Sequence, residues 1–232
     1  MSTLAALEKK LVSLNRPCWS PKTIGKDKNV QGSKFSGMPW LFAGESWPAC
    51  GACKRSLALF LQLNSAELPP GAKVPFVGLL QLFFCTNIES SACLGCKPFA
   101  KSVVARIVVP KGEPNRSALP QDSYPVRSIT GWRKYDDVPS WVELGSEYSD
   151  NPAAMDQLVD RFSTATGDKL LGWPAWVQGP EYPKCKKCRK PMSYLFQVDS
   201  DNNLQHTFGD CGRGHVFHCG ADNAVAFSWA CG

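Results

Sequence analysis

No apolar run in this chain approaches the roughly 18–20 residues that a bilayer-spanning helix needs, so no membrane partner is expected. Histidine is scarce. His206, His215 and His218 are the only three, which leaves little material for imidazole-based acid–base chemistry. No glycine-rich phosphate loop and no nucleophile elbow occurs, since the Gly-Trp-Arg and Gly-Ser-Glu tripeptides are not such motifs. The stretch Met1–Arg16 carries Glu8, Lys9 and Lys10 inside its apolar pattern, with no small-residue cleavage site behind it. It does not read as a secretory leader, and a cytoplasmic protein is expected. Charged residues make up 20% of the 232 and apolar residues 44%, which excludes a disordered tail, a coiled coil and a collagen-like fibre.

The excess lies in turn formers and in sulfur. Nineteen glycines and eighteen prolines point to short elements joined by many turns. Eleven cysteines cannot all pair, and a reducing cytoplasm disfavours disulfides. Metal ligation, buried thiols or redox chemistry remain. The formal charge of +6 favours anionic partners at face value. Eight thiolates holding two zinc ions would lower it to about +2. Tight nucleic-acid binding is therefore not expected.

Leu4, Leu7, Leu11 and Leu14 share one helical face and predict an amphipathic helix, capped by Ser2 or Thr3. A basic loop with Lys22, Lys26, Lys28 and Lys34 follows. A second helix is predicted from a cap at Asn151, Pro152 in the first turn, and Met155, Leu158, Val159 and Phe162 at helical spacing. Strands are predicted at Leu79–Cys85, Val103–Val109, Met192–Val198 and Ala224–Ala230, with a proline-rich connection over Pro110–Pro125.

Residues 34–65 and 169–200 align without a gap at an offset of 135. Lys34, Gly37, Pro39, Pro48, Cys50, Cys53, Gln62 and Ser65 meet Lys169, Gly172, Pro174, Pro183, Cys185, Cys188, Gln197 and Ser200. After a one-residue slip, Gly78, Phe83 and Cys85 meet Gly212, Phe217 and Cys219. Two such units are too few for a solenoid. The fold expected is a β-rich α+β architecture: two pseudo-repeated antiparallel sheet halves, a few peripheral helices, and zinc-knuckle CxxC turns. Residues 1–29 read as an N-terminal helix and loop. The domain proper spans 30–232, with halves at 30–109 and 167–232 and a connection and helix at 110–166.

Cys50-x-x-Cys53 and Cys185-x-x-Cys188 have zinc-knuckle spacing, in which two sulfurs of one tight turn reach the same ion. In the first half Cys93-x-x-Cys96 completes a pair of pairs, whereas the repeat nominates Cys85 in place of Cys93. In the second half the partners come from Cys211, His215, His218, Cys219 and Cys231, and Cys219 with Cys231 is favoured by spacing. One or two structural zinc ions are expected. The competing reading is a set of buried, inert thiols. A redox reading lacks the strand–CxxC–helix context.

Other candidates read more plainly. His215-x-x-His218 could form a metal or acid–base pair, and Asp136, Asp137 and Glu143 beside Trp132, Tyr135 and Trp141 could form an acid–base set, though a solvated rim is the simpler reading. Trp40, Trp173 and Trp176 beside prolines could cap the two halves. Lys22, Lys26, Lys28, Lys34 and the run Lys184–Lys190 could meet phosphate, with a solvated face the simpler reading.

The motifs Ser33-Lys34-Phe35-x-Gly37-x-Pro39, Trp47-Pro48-x-Cys50-x-x-Cys53, Phe60-Leu61-Gln62-Leu63 and Pro98-Phe99-x-Lys101-Ser102 resemble the YwqG-like family of bacterial proteins. So do Gly172-Trp173-Pro174-x-Trp176-x-Gln178, Phe196-Gln197-x-Asp199-Ser200, Gly209-Asp210, Val216-Phe217-x-Cys219 and Phe227-x-Trp229. The first half is similar, more distantly, to the programmed-cell-death-2 family of ribosomal-protein chaperones, but lacks a separate zinc-finger insert between the halves. The YwqG-like resemblance implies a duplicated β-rich fold and carries over no catalytic residue. Genes of that family stand in some bacteria beside secreted polymorphic toxins, which implies an immunity role. The function expected is thus a non-enzymatic protein binder that occludes a cognate toxin. A chaperone or ribosome-associated zinc factor is the first alternative and a metal-dependent hydrolase the second.

Overall fold

The computed structural model describes residues 4–27, 29–115, 123–145, 157–158 and 161–232. Helix α1 (Leu4–Ser13) buries Leu7 and Leu11 against Val138 and Leu158, as the leucine spacing predicts. Its predicted caps Ser2 and Thr3 lie outside the described residues. So does most of the predicted second helix, including Asn151, Pro152, Met155 and Val159. Leu158, in a helical turn, and Phe162 join the α1 cluster. Helix α2 (Trp141–Leu144) is a single turn. Among the described residues no helix is long and apolar enough to cross a membrane.

Among the described residues, ten antiparallel strands form one sheet that curls into a nearly closed barrel. In chain order they are β1 (Arg16–Ile24), β2 (Lys34–Phe35), β3 (Ala58–Asn64), β4 (Leu79–Phe84), β5 (Val103–Val108), β6 (Arg127–Asp137), β7 (Lys169–Leu171), β8 (Ser193–Asp199), β9 (Arg213–Cys219) and β10 (Ala224–Ala230). Their order across the sheet is β10-β9-β8-β7-β1-β6-β2-β3-β4-β5. Read outward from the central β1–β6 pair, the sequence β2-β3-β4-β5 mirrors β7-β8-β9-β10. The repeat is therefore a pseudo-twofold. Lys34 faces Gln62 as Lys169 faces Gln197, and the bulges at Leu59/Leu61 and Tyr194/Phe196 occupy the same place in each half.

The predicted strands in 79–85, 103–109, 192–198 and 224–230 are present, but two elements differ from expectation. Residues 16–24, read as the start of a basic loop, are β1 in the middle of the sheet. Pro17 and Pro21 disguise it, because proline cannot donate to a ladder. The short β7 meets β1 only at Cys18 and Trp19, so neither proline interrupts that pairing. Trp132, Tyr135, Asp136 and Asp137, read with Trp141 and Glu143 as a solvated acidic and aromatic rim, belong to the eleven-residue β6.

Both faces of β3 and β4 are buried, which explains their nearly continuous apolar runs. Phe60, Leu80, Leu82 and Phe84 meet Phe196, Val216, Phe208 and Phe227 inside the barrel. On the outside, Leu59, Phe83 and Cys85 pack beneath the loop carrying Leu41, Cys50 and Leu57. Tyr194, Phe217 and Cys219 do the same beneath the loop carrying Cys185 and Met192. Each half thus has its outer sheet face covered by a proline-rich loop, and each loop ends in a cysteine knuckle. The seam between β5 and β10 is bridged by Trp229, which donates from its backbone to the Cys96 carbonyl (3.3 Å) and from Nε1 to the Leu94 carbonyl (2.6 Å).

Candidate metal centres and a buried polar ladder

The two knuckles are built alike. An isolated bridge, Ala49 to Ser56 or Lys184 to Pro191, pins the base of each loop. Cys50 donates its amide to the Arg55 carbonyl (2.8 Å), and Cys185 donates to that of Lys190 (2.9 Å). Lys54 and Arg189 take up the left-handed backbone, with φ of 66° and 62°, that turns the chain back. Amides then point at sulfur: Ala52 and Cys53 donate to the Cys50 Sγ at 3.4 and 3.5 Å.

In the first half the sulfurs of Cys50, Cys53, Cys85 and Cys93 converge, all within 4.8 Å of one another. Cys50 and Cys93 stand 3.8 Å apart, and Cys53 and Cys85 3.7 Å. A tetrahedral ion with sulfur at ~2.3 Å has edges of about 3.8 Å, so these residues fit a four-coordinate soft metal. Cys85 and Cys93, weighed as alternatives in the sequence, are both members. Cys96, shared by both sequence schemes, is not in the cluster. It lies at the β5–β10 seam with its carbonyl on Trp229.

In the second half the group is Cys185, Cys188, Cys219 and Asp222. Cys188 and Cys219 lie 3.5 Å apart, and the Asp222 Oδ2 accepts from Cys185 at 3.2 Å and Cys219 at 3.7 Å. Cys231, favoured in the sequence, stands apart from this group, its sulfur against Gly209. Cys211 is exposed and also outside both groups. Asp222 was missed, although Cys219-x-x-Asp222 repeats the knuckle spacing with a carboxylate in the last place. Either group could hold a metal ion.

The electrostatics favour thiolate at Cys53 and Cys219 but not at Cys188, where the Lys190 amide is outweighed by burial and by hydrogen bonds to Asp222 and Cys219, which push the thiol up to about 11. The Arg55 amide pulls the Cys53 thiol down to about 6. The Asp222 amide lowers Cys219. Burial pushes Cys85 and Cys93 up, so those two sulfurs ionise readily only beside a cation. Lys184, Lys186, Lys187, Arg189 and Lys190 are exposed around the second knuckle.

His215 and His218 do not form a pair. Three residues apart on a strand, they point to opposite faces. His215 packs on Trp176 and faces the Gln197 Oε1 at 3.3 Å, while His218 meets Asn223 at 3.0 Å. Desolvation lowers His215 to about 3 and His206 to about 4, so both are neutral imidazoles near pH 7.

Under each covering loop runs a polar ladder that sequence reasoning saw only as matched letters. In the first half Lys34, Gln62, Gln81 and Arg106 face one another across four strands. Asp27 accepts from Lys34 (2.7 Å), Gln81 donates to the Gln62 Oε1 (2.9 Å), and Arg106 donates to Gln81 (2.9 Å). In the second half Lys169, Gln197, His215 and Ser228 occupy those places. Gln62 receives the Trp40 amide and Gln197 the Ala175 amide, which ties each loop to its sheet.

Lys34, counted in the sequence among solvated or phosphate-contacting lysines, is fully buried. Asp137, counted in an acidic rim, is fully buried too, and its carboxylate accepts from Lys169 Nζ, the Ala165 amide and the Trp173 amide, each at 2.8 Å. Asp136 stays exposed, and Glu143 receives Trp176 Nε1 (2.5 Å) and the Tyr182 hydroxyl (2.8 Å), so the three acids form no joint site. Gly172, at φ 80°, leaves room for this: a Cβ there would stand 2.3 Å from the Asp137 Oδ2. Trp173 is buried, with the Arg16 guanidinium 3.4 Å above its ring.

An apolar recess of about 390 Å³ opens near the seam, walled by Phe84, Phe208, Leu94 and Trp229. Ile88 on its rim is 82% exposed. No curated protein matches the chain. Residues 33–224, from the residue before β2 to the first residue of β10, match the model of the domain of unknown function DUF1963, and the chain belongs to that family.

Proposed function

We propose that this protein is a non-enzymatic binding protein whose two knuckles are held by zinc, and that it engages a protein partner through the recess at the seam. The single observation carrying this reading is that recess: a concave apolar surface with aromatic walls and the exposed Ile88 at its rim. Apolar pockets of this kind receive the anchor side chains that dominate interface energetics. The donor sets support a structural role for the metal. Cys50, Cys53, Cys85 and Cys93 supply four protein ligands to one tetrahedral ion, the closed arrangement of structural zinc. Zinc suits the soft thiolate donors and the observed sulfur spacings.

The likeness to the YwqG-like family points further, to a cytoplasmic immunity protein that blocks a secreted toxin by covering its active surface. A preformed barrel suits that task, because rigidity reduces the ordering cost of binding. The test is affinity purification from the native cell with the wild-type chain and with Ile88→Asp and Leu94→Asp. One partner recovered by the wild type in stoichiometric amount and lost with both variants supports the reading, and a toxin domain as that partner supports the immunity role. Retention of the partner by both variants refutes the recess. Metal-dependent turnover of an ester or phosphoester by the purified protein refutes the non-enzymatic reading.

A further inference from the structure

The pseudo-twofold makes the two clusters comparable position by position, and they differ at one ligand. We propose that the first cluster is a permanent staple, while Cys185, Cys188, Cys219 and Asp222 form an exchangeable site that releases and takes up zinc without unfolding the chain. The inference rests on the zinc reading given above.

Three observations carry it. The first is donor chemistry: a soft site of four sulfurs outbinds one in which a hard carboxylate replaces a thiolate. The second is the state each site falls into once its ion leaves. In the second cluster the Asp222 Oδ2 already accepts from Cys185 at 3.2 Å and from Cys219 at 3.7 Å, so the thiols have an acceptor. In the first cluster the acceptor that a ligand thiol finds within the group is another sulfur, at 3.8 and 3.7 Å, with no carboxylate among the four. Sulfur is a weak acceptor, and losing the ion leaves buried thiols poorly satisfied.

The third is what holds the ligands in place. Asp222 sits in the turn of the β9–β10 hairpin, which is fixed by an unbroken ladder from Cys219–Ala224 to Arg213–Ala230. That turn keeps its shape with or without an ion. Cys93 instead sits in the long connection between β4 and β5, on a single 3-10 turn (Ser91–Cys93), where no ladder holds it. Access follows the same division. Cys188 and Asp222 are both half-buried, whereas Cys53 is the half-buried member of the first cluster. Two ligands of the second cluster, against one of the first, are therefore partly open to a competing chelator.

The experiment mixes full-length protein, loaded with zinc and assayed for two equivalents by elemental analysis, with the chromophoric chelator pyridylazo-resorcinol. Zinc release and far-UV circular dichroism are recorded together. One equivalent should leave at least about tenfold faster than the other, with no change in dichroism. Asp222→Cys should slow that fast equivalent about tenfold or more, and Asp222→Asn should leave a folded protein that retains one equivalent. Two equivalents leaving together, fast release accompanied by unfolding, or a fast phase unchanged in Asp222→Cys would each overturn the proposal while leaving zinc in place. A folded protein that contains no zinc and takes up none would overturn the zinc reading itself, and exchange with it.

Discussion

Replacing Asp137 by alanine tests the buried ladder more sharply than any other single change. The side chains of Asp137 and Lys169 are both 0% exposed, and the carboxylate takes three donors. Removing it leaves the lysine charge with the Ala165 carbonyl alone and strands two backbone amides away from water. Breaking a buried pair from one side costs about 3–5 kcal/mol, and each orphaned amide adds about 1 kcal/mol. Lys169 can shed its proton, since burial already lowers its pKa, and this trims the total. A net loss of about 4 kcal/mol is expected, a large part of the roughly 5–15 kcal/mol available to a domain. The pseudo-twofold supplies the control. Asp27 pairs with the equally buried Lys34. Each lysine keeps a backbone carbonyl, Met38 for Lys34 (3.0 Å) and Ala165 for Lys169 (2.5 Å), but Asp27 is itself 35% exposed where Asp137 is fully buried. Water entering the space left by Asp27→Ala can solvate the ammonium, so a loss of about 1 kcal/mol is expected there. Urea unfolding of both variants, read as midpoints at constant m, measures the difference. The double variant Asp137→Leu with Lys169→Met should recover most of the charge penalty but not that of the amides. Equal losses for Asp27→Ala and Asp137→Ala, or an unmoved midpoint in Asp137→Ala, would refute the reasoning.

Cys93→Ser and Cys85→Ser should each lower bound zinc by one equivalent and shift unfolding downward by several kcal/mol, whereas Cys96→Ser and Cys231→Ser should keep the metal content of the wild type, all by elemental analysis and thermal melts. Acid should destabilise the fold. His206 and His215 sit at about 4 and about 3, below the ordinary 6.5, so the unfolded chain binds more protons as pH falls from 6.5, and their contribution, complete above 6.5, is lost toward pH 3. Asp168, raised by burial to about 6, acts oppositely, favouring the fold below 3.8 and losing that contribution as pH rises through 6. The two histidine shifts together exceed it, so the melting temperature should drop between pH 6.5 and 4, and His215→Gln should flatten that slope; an unchanged slope would refute the assignment. Duplex DNA should bind no tighter than about micromolar at physiological salt, with log affinity falling linearly in log salt through the exposed lysines of the second knuckle; salt-insensitive nanomolar binding would contradict this.

What the sequence disclosed and what it hid divide along a physical line. The offset of 135 was visible because β2, β3 and the knuckles lie close together in each half, and matched contacts there preserve matched residues: Gly37 and Gly172 both take a left-handed backbone, at φ 78° and 80°, and Gln62 and Gln197 both hold a loop amide. Outside those segments the offset fails for a reason of topology. β1 and β6 are equivalent under the pseudo-twofold, yet β1 pairs with β7 of the second half and β6 with β2 of the first. Each half is completed by the strand that lies on the far side of it in the chain. Asp27, just after β1, and Asp137, at the end of β6, therefore play one role 110 residues apart, not 135. No local pattern can reveal a carboxylate whose partner is assigned by such an exchange, and Asp137 accordingly read as a surface acid. The same exchange places residues 16–24 in the centre of a sheet that the amino-terminal segment seemed only to precede. It also gives Asp137 its burial, because the short β7 and the covering Trp173 close over it from the half to which β6 does not belong in sequence. The stability of the second half thus depends on a strand made before the first half and on a carboxylate made after it. The two halves are expected to unfold as one cooperative unit, and neither is expected to fold when expressed alone.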